Sequence, residues 1–112
     1  MIITRGDTHS YKFQRLDGEG QPIEERAPSV YFTVKDSNNE EEIIFQKTIE
    51  DMRYDEEFFY HFTIYPEDTN DMYYGSYDYD IEVKYTDGNY VRTIAKGKFI
   101  VEEETTWKAN EV

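Results

Sequence analysis

The chain has 112 residues, and its 12 Lys and Arg stand against 25 Asp and Glu, a formal charge of −13. That length is one domain, or one domain with a tail, and it suffices to bury a core without disulfides. The lack of cysteine excludes a disulfide scaffold, a thiol nucleophile and a zinc–thiolate site, and no apolar run is long enough for a membrane-spanning helix.

Met1-Ile2-Ile3-Thr4-Arg5 runs straight into polar sequence, so no signal peptide is expected. Ile2 to Thr4 reads as a short edge segment. Tyr11 to Leu16 reads as a strand that ends at Asp17-Gly18-Glu19-Gly20, and Pro22 and Pro28 punctuate the connection that follows. Val30, Phe32 and Val34 alternate with Tyr31, Thr33 and Lys35, the period-2 mark of a strand with one buried face. Asp36-Ser37-Asn38-Asn39 is a turn cluster, and Ile43 to Ile49 is the next strand. Phe58, Tyr60, Phe62 and Ile64 then alternate with Phe59, His61, Thr63 and Tyr65.

The segment 66–72 breaks the pattern. Pro66 suits a first helical position and Glu67 and Asp68 suit a first turn, so one helical turn is expected there. From Tyr77 to Tyr85 the odd positions are apolar or aromatic and the even ones charged. Thr86-Asp87-Gly88-Asn89 carries tight-hairpin chemistry. The return strand, Tyr90 to Val101, places Val91, Thr93, Ala95, Gly97, Phe99 and Val101 on one face and Arg92, Lys96 and Lys98 on the other, beside Asp78, Asp80 and Glu82. Turns at this spacing favour an antiparallel β-sandwich or barrel of about seven strands. The domain is expected over 1–104, with a C-terminal tail at 105–112 that holds Trp107. The expected core is Phe13, Val30, Phe32, Val34, Phe45, Tyr60, Phe62, Ile64, Tyr77, Tyr79, Ile81, Val83, Val91, Phe99 and Val101.

Aromatic residues make 17% of the chain, which argues for a folded all-β protein rather than a disordered acidic one. The charge repels phosphate, so neither nucleic acid nor an anionic membrane is an expected partner. It is also uneven: 36–57 holds nine acids and two bases, whereas Lys84, Arg92, Lys96 and Lys98 oppose Asp87 alone in 83–100. This pattern fits cross-strand ion pairs within one chain, or a basic strand docking on the acidic surface of another copy.

Catalytic constellations are sparse. His9 and His61 stand alone, and His61 falls on the strand face opposite Tyr60 and Phe62. Ser10, Ser29, Ser37 and Ser76 lack a nucleophile-elbow context. With 25 acids, paired carboxylates arise by chance. The acidic groups Glu40-Glu41-Glu42 and Glu67, Asp68, Asn70 and Asp71 match no twelve-residue calcium loop. Arg5-Gly6-Asp7 is the integrin-binding tripeptide, but it fits a simple turn before a strand. Neither an enzyme nor a cofactor is expected.

Gly75-Ser76-Tyr77-Asp78-Tyr79, preceded by Pro66-Glu67-Asp68-Thr69, resembles the corner of immunoglobulin-type sandwiches. The resemblance implies that the Tyr77 hydroxyl bonds back to upstream backbone. It also puts Tyr79 where those domains carry a cysteine, so packing alone must hold the core. More broadly, Ile3-Thr4-Arg5-Gly6-Asp7-Thr8, Gly20 to Ile23, Val30 to Lys35, Gly75-x-Tyr77-x-Tyr79-Asp80-Ile81 and Lys96-Gly97-Lys98-Phe99 are similar in order and spacing to the N-terminal β-sandwich domain of phage baseplate upper proteins. That resemblance implies a structural protein of a phage or prophage (a tail, baseplate or neck component) found in the virion or in the host cytoplasm during assembly. Its partners would be other phage structural proteins or copies of itself, as a homo-oligomer. Trp107, Tyr73, Tyr74, Arg92, Lys96 and Lys98 are the candidate interface residues. The alternative is a carbohydrate-binding or adhesion module that stacks sugars on exposed tyrosines.

Overall fold

Alternation along each strand decides which side chains meet, and the pairing follows from it. In this computed structural model, which describes residues 1–85 and 91–103 with the Glu40 side chain excepted, the strands are β1 (Ile2–Thr4), β2 (His9–Gln14), β3 (Ser29–Asp36), β4 (Asn39–Thr48), β5 (Arg53–Tyr54), β6 (Phe59–Ile64), β7 (Gly75–Lys84) and β8 (Val91–Glu102). A 3-10 turn, Ile49–Asp51, precedes β5, and one helical turn, α1 (Pro66–Thr69), links β6 to β7. The strands form a five-stranded sheet, β1-β8-β7-β3-β4, and a three-stranded sheet, β2-β6-β5. Their inner faces share one core, and the fold is an all-β, immunoglobulin-like sandwich. All pairs are antiparallel except β1 with β8, where Ile3 runs parallel beside Val101.

The core forms where inner-face positions of the two sheets meet. Val30, Phe32 and Val34 on β3 lie in register with Val83, Ile81 and Tyr79 on β7. From the other sheet, Tyr60, Phe62 and Ile64 point inward, and the Phe32 and Phe62 ring centroids are 4.6 Å apart. Burying each such side chain is worth about 1.5–3 kcal/mol. Tyr79 packs its ring 5.8 Å from Phe32 and lies opposite Gly97, so aromatic contact occupies the position of the missing cysteine. Phe13, Phe45, Tyr77 and Tyr79 are half-buried against this core rather than inside it. Ile3, Ala27, Met52 and Met72 are buried in it and carried no alternation signal.

The expected corner is present: the Tyr77 hydroxyl donates to the Tyr73 carbonyl at 2.8 Å. The expected helical turn over 66–72 is a single turn. Pro66 opens it, where a missing N–H costs nothing, and Asp68 Oδ2 accepts the Tyr65 N–H at 2.8 Å.

The eight strands among the described residues fit the expected count of about seven, with β1 and the two-residue β5 both paired. Other expectations are corrected. β6 begins at Phe59, since Phe58 sits in the preceding turn with φ 71°. Glu40 to Glu42 belong to β4 rather than to a loop, at a register irregularity where Lys35 pairs with Ile43 and Asp36 with Asn39. Val91 is not core but 46% exposed. The cause is a β-bulge: Ile81 pairs with Ala95 while Glu82 pairs with Thr93, so Ile94 is an extra residue that reverses the alternation before it. The turn expected at Thr86–Asn89 and the boundary between domain and tail lie outside the described residues.

Candidate interaction surfaces

The first surface is the corner itself. The loop between β1 and β2 packs on the segment that leaves α1. Gly6, with φ 82°, turns the chain so that the Asp7 N–H reaches the Thr4 carbonyl at 3.2 Å. The Gly6 N–H donates to Thr69 Oγ1 at 3.0 Å, and Arg5 Nη1 donates to the Met72 carbonyl at 3.4 Å. The Arg5 guanidinium lies 4.4 Å from the Tyr74 ring centroid, a cation–π contact. Arg5 of the Arg-Gly-Asp tripeptide is thus engaged within its own fold. On this framework Tyr73 is 86% exposed, Tyr74 47% and Tyr65 49%. Lys47, at an inner-face position of β4, reaches Asp68 at 2.6 Å and lies 5.3 Å from the Tyr65 ring centroid, which ties the edge strand to α1.

The second surface is the outer face of the five-stranded sheet. Lys98 pairs in register with Asp78 and Lys96 with Asp80. The Lys98 ammonium donates to Asp78 Oδ1 at 2.7 Å, and Lys35 approaches Asp80 at 3.8 Å from the other side. These residues line a shallow depression of about 880 Å3. Its charges are largely spent on one another, and exposed pairs of this kind add register specificity more than stability.

Arg92 does not join that face. The Ile94 bulge places it in register with the buried Val83, on the side of the other sheet. The expectation that Arg92, Lys96 and Lys98 form one basic face is therefore corrected, and Glu82 faces Thr93 instead of Arg92. Arg92 lies at the end of the sandwich opposite the corner and lines a cavity of about 250 Å3 that also contains Arg15. Trp107 lies outside the described residues.

The third feature lies on the outer face of the three-stranded sheet. His61 Nε2 and Asp55 Oδ2 are 2.6 Å apart, and Lys12 and Arg53 are the register partners of His61 on the neighbouring strands. The bond from His61, helped by the Phe59 and Glu57 N–H groups, lowers the Asp55 pKa to about 2. His9 is occupied locally: its Nε2 accepts the Thr4 N–H at 3.3 Å. Burial raises the phenol pKa of Tyr11, Tyr54 and Tyr77, so these hydroxyls stay protonated at neutral pH. Among the described residues no three His, Asp or Glu side chains form a metal-binding group.

No family model, no curated protein and no solved structure matches the chain.

Proposed function

We propose that the chain is a non-enzymatic structural and assembly component of a phage or prophage tail, baseplate or neck, working through protein–protein contacts. The observation that carries the proposal is the corner: Tyr73 stands 86% exposed, next to Tyr74, on backbone tied down by Tyr77, Arg5 and Thr69. A large aromatic side chain on a held backbone loses little conformational freedom on docking, and Tyr is enriched at protein interfaces. The baseplate resemblance supports the same class. Lys96 and Lys98 on the outer sheet face, and Trp107, are further candidate contacts with copies of the chain or with other structural proteins.

The test is molar mass by light scattering across a concentration series, for the pure protein and for mixtures with the products of neighbouring genes. Association that weakens in Tyr73→Ser and Tyr74→Ser is the expected result. A strict monomer with no affinity for those products overturns the proposal. The same exposed ring favours a second reading, a carbohydrate-binding module, since sugars stack on open aromatic faces. A glycan array on which the protein binds and Tyr73→Ser does not is the result that reading expects.

A further inference from the structure

Among the described residues, the small cavity at the far end of the sandwich is lined by two arginines and no acid. Arg15 follows β2 and is only 6% exposed. Its Nε donates to the Tyr60 hydroxyl at 3.3 Å and its Nη2 to the Glu25 carbonyl, so two of its five N–H groups are used and both acceptors are neutral. The ion pairs among the described residues are Lys35–Asp80, Lys47–Asp68, His61–Asp55 and Lys98–Asp78, and neither Arg15 nor Arg92 is in one. A buried arginine normally has a carboxylate partner, and among the described residues no acid supplies one. The Ile94 bulge brings a second arginine, Arg92, to the lining of the same cavity, whose walls include Leu16, Ile23 and Ile94.

We propose that this cavity binds a small organic carboxylate. The carboxylate would sit on the guanidinium groups of Arg15 and Arg92, whose planar forks match its two oxygens. The hydrocarbon part would lie against Leu16, Ile23 and Ile94. A volume of about 250 Å3 is that of about eight waters, which suits a single ring or short chain rather than a peptide. The apolar walls favour such an acid over inorganic phosphate, whose oxygens all need polar partners. The inference does not rest on the assembly proposal.

Arginine Nε–Hε NMR signals of the full chain, titrated with benzoate, give the test. Saturable shifts of the Arg15 and Arg92 signals are expected, with neutral benzamide silent. Arg92 is exposed, so Arg92→Gln should leave the fold intact, which a far-UV circular dichroism spectrum checks. That variant should weaken benzoate binding about tenfold, the value of one lost charge-assisted pair. Arg92→Lys, which keeps the charge and loses the fork, should fall between the two. Four results overturn the proposal: no saturable shift; equal shifts with benzamide; phosphate acting at lower concentration than benzoate; or shifts produced by concentrating the protein alone, which would assign the arginines to a neighbouring copy.

Discussion

Asp55 shows how much one carboxylate organises in this fold. Its Oδ1 accepts the Glu57 N–H at 2.9 Å and the Phe59 N–H at 3.0 Å, and its Oδ2 meets His61 at 2.6 Å. These contacts hold a turn that forces Phe58 to φ 71°, a conformation bulky residues rarely adopt. Every one of them favours the ionised form, which is why the pKa falls to about 2. A depressed carboxylate pKa adds stability that is fully present above the unfolded value, about 4, and is lost as the pH falls toward the folded one. The urea midpoint should therefore drop between about pH 4 and pH 2. In Asp55→Asn that part of the drop should be missing and the profile flatter, and parallel profiles for the two proteins would refute the assignment. The Tyr77 corner was legible from Gly75-x-Tyr77, because its bond is to backbone four residues away. Asp55 was not, because its partner His61 becomes a neighbour only when β5 and β6 pair.

At the scale of elements, β7 and β8 behave differently although they are partners. The alternation of β7 is unbroken and can be read directly from Tyr77 to Tyr85. In the sequence the same alternation runs on through β8, yet the Ile94 bulge reverses it for Arg92 and Val91. Val-x-Thr-x-Ala carries no glycine or other local mark of the change, since a bulge is a property of two strands in register. Farther along, β8 depends on Gly97. A Cβ there would lie 3.1 Å from Tyr79 Cε1 and 3.2 Å from its hydroxyl oxygen. The ring is held from below by Phe32, so Gly97→Ala should destabilise by about 1 kcal/mol despite the better strand propensity of alanine. Tyr79→Val frees that space, and in the double variant the cost of the alanine should largely disappear. Additive costs in denaturant unfolding would show that the contact is unimportant.

Across the whole molecule, Phe32 is the residue on which the two sheets converge. Its ring lies 4.6 Å from Phe62, 5.8 Å from Tyr79, 6.1 Å from Phe45 and 6.4 Å from Phe99, centroid to centroid. With no cysteine in the chain, this cluster does the work of a cross-link between sheets. Phe32→Ala should cost about 3–5 kcal/mol, a large part of the 5–15 kcal/mol typical of a domain. The near-ultraviolet circular dichroism signal should then melt well below that of the parent, with Phe32→Leu between them. A melting temperature unchanged in Phe32→Ala would mean that the sheets are held together elsewhere.

Period-2 patterning and turn chemistry are local, and they determined the all-β class, the inward faces of β3, β6 and β7, the single helical turn after Pro66 and the tyrosine at the corner. The same patterning placed Lys96 and Lys98 beside Asp78 and Asp80, because a hairpin brings near neighbours in sequence together. Only the tertiary structure decided the rest. Lys47 finds Asp68 across the end of the sandwich, and Arg15 shares a cavity with Arg92 across the gap between the sheets. Those encounters depend on strand register and on how one sheet lies over the other. Packing of the entire chain sets both, and no short stretch of residues encodes either.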